Sequence, residues 1–409
     1  MPPLSVAMLA WEYPPVIVGG LARHVYELAG GLAGQGHTVT VYTRAGPGAA
    51  EETHRRVRVR RVEGAPPKVP FEDLIPWTLA FNLSLLRRAA FDFRDDPPDL
   101  IHAHDWLVAH AGIALRALAR VPLVATIHAT EHGRHRGRLA GPVQRSVHEV
   151  EGWLATEADR LICCSAYMRD EVIRVLDVPP ERIDVIPNEV GLGGFPPGTS
   201  RGLRDELVRD GLPLIVFAGR LEYEKGVQTI LEAMPLIDRL SPGVSLVLAG
   251  TGTYRSALEA RAASLGLDGR VRFLGFVDEK RLRGLYAAAD LVVVPSLYEP
   301  FGLVALEAMA TGTPVLASDT GGLREIVDHG VTGVRFVPGA ASSLAIEAAR
   351  LLTDGSLARR LATGASEALA SRASWSGAAA RTAEVYWRAM EDARLAGSTA
   401  LRVRREQPR

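Results

Sequence analysis

The sequence is short of cysteine and of net charge, and each shortage excludes a class of protein. Its two cysteines, Cys163 and Cys164, are adjacent. Neighbouring residues on a strand point to opposite faces, so we expect neither a disulfide framework nor a cysteine-rich metal cluster. The 47 Lys and Arg residues balance 47 Asp and Glu residues. This balance excludes the broad basic field of a nucleic-acid-binding protein.

Long apolar runs are also missing. No stretch of 18 or more apolar residues occurs, so no segment is expected to span a membrane. The N-terminus lacks a basic region, and Glu12 interrupts its first apolar stretch, which argues against a signal peptide. Together with the expected lack of disulfides, these absences predict a cytoplasmic protein.

The chain is too long for a single core. It has 409 residues, of which 47% are hydrophobic, and single cores stop growing at about 250–300 residues. Short apolar segments alternate with helical patterns, which predicts parallel strands joined by crossover helices, the α/β class. Predicted strands lie at residues 6–10, 39–42, 100–104, 123–128, 160–164 and 183–186, and then at 214–218, 245–249, 271–273, 291–295, 314–317 and 334–337.

These strands form two series, which predicts two Rossmann-like domains. The first domain is expected at residues 1–190 and the second at 213–370, with a Gly- and Pro-rich linker at 191–212. A further helix is expected at 371–395 and a tail at 396–409. Since ligands bind at the carboxyl ends of parallel strands, we expect the two domains to face each other across a ligand-binding cleft.

The segment from Glu299 to Glu307 carries the strongest signal for a site. It follows a predicted strand, and a helix that begins near Gly302 and Leu303 would present free N–H groups with the positive end of its dipole. Such donors suit a phosphate or a sugar hydroxyl. A carboxylate can accept hydrogen bonds from two adjacent hydroxyls, as in a ribose. If the pair of acids stood alone, the simpler interpretation would be two ordinary exposed residues at the start of a helix.

Two further loops follow predicted strands. Arg220 and Lys225 flank a loop that enters a helix, where two cations would suit a diphosphate. A salt-bridged surface loop is the alternative, because Glu222 and Glu224 lie between them. Gly19 and Gly20 also open a helix, without the complete G-x-G-x-x-G pattern of a dinucleotide site.

Histidines end two strands of the first domain. His102, His104 and Asp105 end one strand, and His128 ends the next. Such side chains can orient a substrate or donate a hydrogen bond to it. His102 and His104 share a strand face as a metal pair would, but no third ligand stands at a suitable spacing, so no metal site is expected. An Asp-x-Asp, a P-loop and a G-x-S-x-G motif are absent, which argues against a metal-held diphosphate, a P-loop NTPase and a serine hydrolase.

Taken together, these motifs resemble those of retaining GT-B glycosyltransferases of the glycogen-synthase-like type. The resemblance extends over nearly the whole chain. It rests on the glutamates of Glu299–Glu307, on the Gly219-Arg220-Leu221 and Glu224-Lys225-Gly226 segments, on Trp11-Glu12-Tyr13-Pro14-Pro15 with Gly19-Gly20-Leu21, on His102-Ala103-His104-Asp105-Trp106, and on Ser374-Trp375.

The resemblance implies a role for each matching residue. Arg220 and Lys225 would hold the diphosphate of a nucleotide sugar, and Glu307 its ribose. Glu299, with the backbone of Gly302 and Leu303, would hold the transferred sugar and the phosphate. The first domain would be the acceptor side. There, His128 would hydrogen-bond a hydroxyl of the donor sugar, Asp105 would lie close to the sugars, and Asn188 would contact a sugar. Gly19 and Gly20 would approach the phosphates. The helix at 371–395 would pack back on the first domain.

Two departures from the family pattern stand out. Ile17 and Val18 precede Gly19-Gly20, where relatives often have a lysine. Glu189 replaces a glycine of the common Pro-Asn-Gly-Val-Asp segment, and it would be strained if that position has a positive φ. The second departure puts the sugar contact of Asn188 in question.

The resemblance therefore implies a metal-independent hexosyltransferase without a resident cofactor. It would move an α-glucosyl unit from ADP-glucose or UDP-glucose to an α-1,4-glucan or a glucose derivative such as glucose 1-phosphate. Transfer of another sugar, such as mannose, to a lipid or small molecule is the nearest alternative, followed by a glucan phosphorylase and a sugar-nucleotide epimerase. The expected partners are the nucleotide sugar and a carbohydrate acceptor, and a homo-oligomer is compatible with the sequence.

Overall fold

The computed structural model describes residues 2–63, 73–191, 201–208, 211–372 and 374–406. The strands are β1 (Ser5–Leu9), β2 (Thr38–Arg44), β3 (Glu51–His54), β4 (Val57–Val62), β5 (Leu100–His104), β6 (Leu123–Ile127), β7 (Arg160–Cys163), β8 (Ile183–Val185), β9 (Leu214–Ala218), β10 (Ser245–Ala249), β11 (Val271–Gly275), β12 (Leu291–Val294), β13 (Val315–Ser318) and β14 (Val334–Phe336).

The helices are α1 (Gly20–Gly34), α2 (Leu74–Asp92), α3 (Ala109–Ala119), α4 (Glu131–Arg134), α5 (Pro142–Glu157), α6 (Ala166–Leu176), α7 (Arg201–Leu207), α8 (Val227–Leu240), α9 (Arg255–Ser264), α10 (Glu279–Ala288), α11 (Leu303–Ala310), α12 (Leu323–Ile326), α13 (Ala341–Thr353), α14 (Gly355–Ala370) and α15 (Trp375–Glu406). Single 3₁₀ turns lie at Trp106–Val108, Pro180–Arg182 and Tyr223–Lys225.

The chain folds into two compact units. The first comprises Met1–Asn188 together with Ala373–Arg409, and the second comprises Glu189–Arg372. The chain thus leaves the first unit once and returns to it with α15. None of the helices in the described parts of the chain is both long and apolar enough to cross a membrane.

The first unit is built on an eight-stranded sheet in the order β3-β4-β2-β1-β5-β6-β7-β8. All neighbouring pairs are parallel except β3 and β4, which form an antiparallel hairpin at the edge. Every residue of β5 and β6 is buried, as expected for central parallel strands covered on both faces. This sheet is the Rossmann-like arrangement that the alternating pattern predicted.

Helix α15 completes the core of the first unit. Its side chains Tyr386 and Ala379 are buried with those of α1, and the hydroxyl of Tyr386 lies 2.7 Å from Nδ1 of His102 on β5. The two helices approach closely at Gly31, where an added Cβ would lie 2.9 Å from Cβ of Ala379. A larger residue at this position would therefore force the helices apart.

The second unit is built on a six-stranded parallel sheet in the order β11-β10-β9-β12-β13-β14. The change of direction from β9 to β12 is the topological switch at which α/β sheets bind ligands. Strands β9 and β12 are fully buried, and α8 and α13 pack on the sheet through apolar side chains. Both units thus have the predicted α/β architecture.

Most strand bounds lie within two residues of the prediction, but three segments differ. The sequence analysis did not predict the β3–β4 hairpin. Helix α7 lies inside the predicted linker 191–212, of which residues 192–200, 209 and 210 are outside the described residues. Helix α15 continues to Glu406, so residues 396–406 of the predicted tail 396–409 are helical.

Candidate active site

In the first unit, polar side chains gather where β5 and β6 end. Asp105 follows β5, and His128 follows β6. The N–H of His128 donates to Oδ1 of Asp105 at 2.7 Å, and Nδ1 of His104 lies 3.1 Å from Nε2 of His128. Asp105 has a φ of +63°, a conformation that non-glycine residues rarely adopt and that concentrates at functional sites. The structure therefore brings the predicted pair Asp105 and His128 into direct contact.

Burial sets the charges of this pair. Asp105 is 6% exposed, and burial raises the pKa of its carboxyl to about 6, although Arg134 and the backbone donors at His128 and Ala129 act in the opposite direction. Burial, with the nearby Arg134 charge, lowers the pKa of His128 to about 3. Near pH 7 the imidazole is neutral, so it can donate one hydrogen bond and accept another.

His24 is a site residue that the sequence analysis missed. It lies on α1, and its Nδ1 is 2.6 Å from Oδ1 of Asn188. Its ring packs edge-to-face on His128, with centroids 4.6 Å apart, and on Trp375 at 5.6 Å. His24 thereby connects Asn188 to the predicted sugar-binding histidine. The signal available in the sequence was a histidine beside Leu21, Val25 and Leu28 on an apolar helix face.

The prediction that the strand histidines lack a third ligand was wrong for His104. His24, His104 and His128 each place a ligand nitrogen within 4.8 Å of the others. Tetrahedral zinc with Zn–N bonds near 2.0–2.1 Å requires nitrogens about 3.3 Å apart. Nδ1 of His104 and Nε2 of His128 lie 3.1 Å apart, a distance that suits a hydrogen bond between the two rings as well as two zinc ligands. His102 is not available, because its nitrogens lie 2.7 Å from the hydroxyls of Tyr386 and Thr126.

The Gly19-Gly20 loop contains a second buried acid. Glu12 is 2% exposed and accepts hydrogen bonds from the N–H groups of Val18 at 2.5 Å, Gly19 at 3.3 Å and Ala22 at 3.3 Å. Burial raises the pKa of this carboxyl to about 7 despite these backbone donors and the Arg44 charge, which act in the opposite direction. The N–H of Gly19, a predicted phosphate donor, is therefore already bound to Glu12.

In the second unit, Lys225 and Glu299 meet. Lys225 ends the 3₁₀ turn after β9, and Glu299 follows β12. Nζ of Lys225 lies 2.9 Å from Oε2 of Glu299, with 19% and 14% of the two side chains exposed. The hydroxyl of Ser296 also donates to Oε2 of Glu299 at 3.0 Å. Two predicted site residues that are 74 positions apart in the sequence therefore form one ion pair.

Arg220 lies on the same loop. Its Nη2 lies 3.0 Å from Oε1 of Glu224, so part of the salt-bridged alternative is present. The backbone carbonyl of Glu224 accepts the N–H of Leu297 at 2.7 Å, which ties this loop to the segment that carries Glu299. Arg220 and Glu299 thus lie on two segments that are bonded to each other.

Gly302 and Glu307 complete this group. Helix α11 begins at Leu303, with Gly302 as its cap at a φ of +113°. An added Cβ on Gly302 would lie 2.6 Å from Cδ2 of Leu323, so this turn requires glycine. Glu307 is buried on α11 and accepts a hydrogen bond from the hydroxyl of Tyr286 at 3.0 Å. Tyr286, on α10, is a contact that the sequence analysis did not predict.

Glu189 does not have the predicted strain. Positive φ angles occur at six described non-glycine residues, and Glu189 is not among them. Its carboxylate is buried and lies 3.7 Å from Nε of Arg372. The replacement of glycine by glutamate at this position is therefore accommodated by the backbone.

Comparisons with known proteins agree over almost the whole chain. Residues 18–192 match the family model "Glycosyltransferase Family 4", and residues 202–368 match "Glycosyl transferases group 1". The glycogen synthase of Mycobacterium tuberculosis is 41% identical over 396 residues, 94% of each chain. Among solved structures, sucrose-phosphate synthase from Thermosynechococcus elongatus has 29% identity and a TM-score of 0.82, covering 94% of this chain and 98% of its own. Anabaena HepE in complex with UDP-glucose has 25% identity and a TM-score of 0.77, covering 93% and 98%.

Proposed function

Because the chain belongs to the GT-B glycosyltransferases with a family 4 and a group 1 domain, we propose that it is a retaining α-glucosyltransferase. It uses ADP-glucose or UDP-glucose and extends an α-1,4-glucan or a glucose derivative such as glucose 1-phosphate. The contact of Lys225 with Glu299 at 2.9 Å carries this proposal, because it brings together the cation that we propose binds phosphate and the acid that we propose binds the sugar. The similarity to a glycogen synthase and to a protein that holds UDP-glucose supports the donor class.

In the second unit, the side chains divide the donor between them. Arg220 and Lys225 bind the diphosphate, the first through a planar fork and the second as a point charge. Glu307, oriented by the Tyr286 hydroxyl, accepts hydrogen bonds from the ribose diol. Glu299 and the N–H groups of Gly302 and Leu303, at the positive end of α11, bind the transferred sugar and the phosphate.

In the first unit, the proposed contacts are to sugars and phosphate. Neutral His128 hydrogen-bonds a hydroxyl of the donor sugar, and Asp105 lies close to the reacting sugars. Asn188, bonded to His24, contributes a further sugar contact. Gly20 approaches the phosphates through its backbone, since glycine lets a ligand come close to the main chain, and Gly19 lies beside it with its N–H bound to Glu12.

The proposed chemistry needs no dedicated base. The bond from the anomeric carbon to the β-phosphate oxygen breaks, and the acceptor hydroxyl attacks from the face that the diphosphate leaves. The leaving oxygen takes the acceptor's proton. Negative charge grows on the diphosphate, and a fixed donor at such a position is typically worth about 3–4 kcal/mol. Arg220 and Lys225 supply this stabilisation in place of a metal ion.

A donor and acceptor panel tests the proposal. Purified protein is incubated with ADP-glucose, UDP-glucose or GDP-mannose and with a maltooligosaccharide or glucose 1-phosphate, with and without EDTA. We expect nucleotide diphosphate release from a glucose donor, an α-linked product by NMR and no effect of EDTA. A β-linked product would refute retention, loss of activity in EDTA would refute metal independence, and turnover with GDP-mannose alone would support the mannose alternative. Silence with every pair would remove the proposed function.

A further inference from the structure

The loop between β1 and α1 is organised around one buried carboxylate. Glu12 lies three residues after β1, and its two oxygens reach forward to the N–H groups of Val18, Gly19 and Ala22. Oε2 binds the two donors of the loop, and Oε1 binds the donor in the first turn of α1. A single side chain therefore binds three main-chain N–H groups within residues 18–22.

This arrangement places a buried carboxyl group at a helix N-terminus. A helix N-terminus attracts anions through its unpaired N–H groups and its dipole. Glu12 occupies three of the local donors. Within the described residues, the N–H groups of Gly20 and Leu21 are bonded to neither Glu12 nor another main-chain carbonyl. The donors that remain for a ligand are thus those between the ones held by Glu12.

The carboxylate has little compensation from cations. Arg44, at the end of β2, is the charged group that affects Glu12, and its guanidinium lies over the ring of Trp11 at 4.7 Å. Ile17 and Val18 precede Gly19-Gly20, where the resemblance leads one to expect a lysine. A buried acid without a close ion pair is costly, so burial raises the pKa of Glu12 to about 7, and the backbone hydrogen bonds act in the opposite direction by favouring the charged form.

We propose that Glu12 is a positioning residue for the donor, which holds the Gly19-Gly20 loop so that the N–H groups of Gly20 and Leu21 face the donor's phosphates. The inference rests on the proposed function, in which this loop approaches the diphosphate. Glu12 itself does not touch the substrate. Glu12 does not supply the positive charge of the missing lysine. It fixes the main-chain N–H donors on which phosphate binding then depends.

Two substitutions at Glu12 and one control substitution separate positioning from mere folding. Glu12→Ala removes all three hydrogen bonds. Glu12→Gln keeps one accepting oxygen, which can serve either the loop donors of Val18 and Gly19 or the helix donor of Ala22, but not both. We expect Glu12→Ala to raise the donor KM about tenfold, and Glu12→Gln about threefold, with kcat changed less than KM. Glu27→Ala, on the same helix but in a surface pair with Arg55 at 3.0 Å, is the matched control and should leave the donor KM unchanged.

The pH dependence gives a second readout. A protonated Glu12 has one accepting oxygen, as glutamine does. The wild-type donor KM should therefore rise as the pH falls from 8 to 6, towards the value of Glu12→Gln, which should itself stay flat. Amide hydrogen exchange of residues 18–22 should be faster in Glu12→Ala than in the wild type. Unchanged donor KM in Glu12→Ala, or an equal pH slope in Glu12→Gln and wild type, would overturn the inference.

The order of measurement keeps the two proposals apart. Wild-type turnover with a glucose donor is measured first and tests the proposed function alone. The amide exchange of Glu12→Ala is then compared with and without ADP or UDP, which requires no turnover. Slower exchange of residues 18–22 with nucleotide in the wild type, and its loss in Glu12→Ala, supports positioning. Exchange that nucleotide does not change in the wild type would overturn it even if the enzyme is active.

Discussion

Replacing Lys225 by alanine tests the centre of the proposed donor site. The substitution removes the cation 2.9 Å from Glu299 and leaves the glutamate with the Ser296 hydroxyl as a donor. One fixed donor to a developing oxyanion is worth about 3–4 kcal/mol, so kcat should fall about 10²–10³-fold. The pair is neither fully buried nor exposed, and the loss of one hydrogen bond to a charged group costs about 1.5–3 kcal/mol of stability.

Turnover and folding are measured on the same samples. Released nucleotide diphosphate gives kcat, and thermal unfolding should show a second unit that is still folded, with a melting temperature a few degrees lower. Lys280→Ala is the matched control, because Lys280 is an exposed lysine on α10, and its kcat should not change. If Lys225→Ala keeps kcat within threefold of the wild type, Lys225 does not stabilise the leaving group.

Three other predictions concern residues within one unit or the other. Tyr286→Phe removes the donor 3.0 Å from Glu307 and should raise the dissociation constant of ADP or UDP about tenfold in calorimetry; unchanged affinity would argue against an oriented ribose contact. Burial raises the pKa of Glu151 to about 8, so between about pH 4.5 and 8 the folded state binds a proton that the unfolded state has released. The free energy of unfolding of the wild type should therefore fall as the pH rises through this range. Glu151→Gln should lack this decline in urea unfolding, and parallel pH profiles would contradict it. Gly31→Leu should destabilise the α1–α15 contact by about 1–3 kcal/mol, and a wild-type unfolding midpoint would refute the close approach.

The α/β architecture could be predicted because central parallel strands are hydrophobic on both faces. Strands such as β5 and β9 therefore appear as short apolar runs between helical patterns. The hairpin β3–β4 was missed for the opposite reason. Strand β3 is a polar edge strand of four largely exposed residues, and it carries no alternation that would separate it from a loop.

The candidate site was predictable where it depends on strand ends and not where it depends on distant partners. Asp105 and His128 each follow a predicted strand of the first sheet, and Glu299 follows one of the second sheet. Within each sheet, the carboxyl ends of parallel strands share one edge. The partner of Asn188 is His24, 164 positions away, and that of His102 is Tyr386, 284 positions away. No local pattern encodes such pairs, because tertiary packing alone brings them together.

The return of the chain to its first unit has a consequence for synthesis on the ribosome. The second unit is one continuous segment, so it can fold as soon as it emerges. The first unit cannot complete its fold at that stage, because α15, which carries the Tyr386 hydroxyl that contacts His102, is synthesised after the second unit. Until then the apolar face of α1 around Gly31 stands uncovered, and a nascent chain halted shortly after Arg372 would present that face to chaperones.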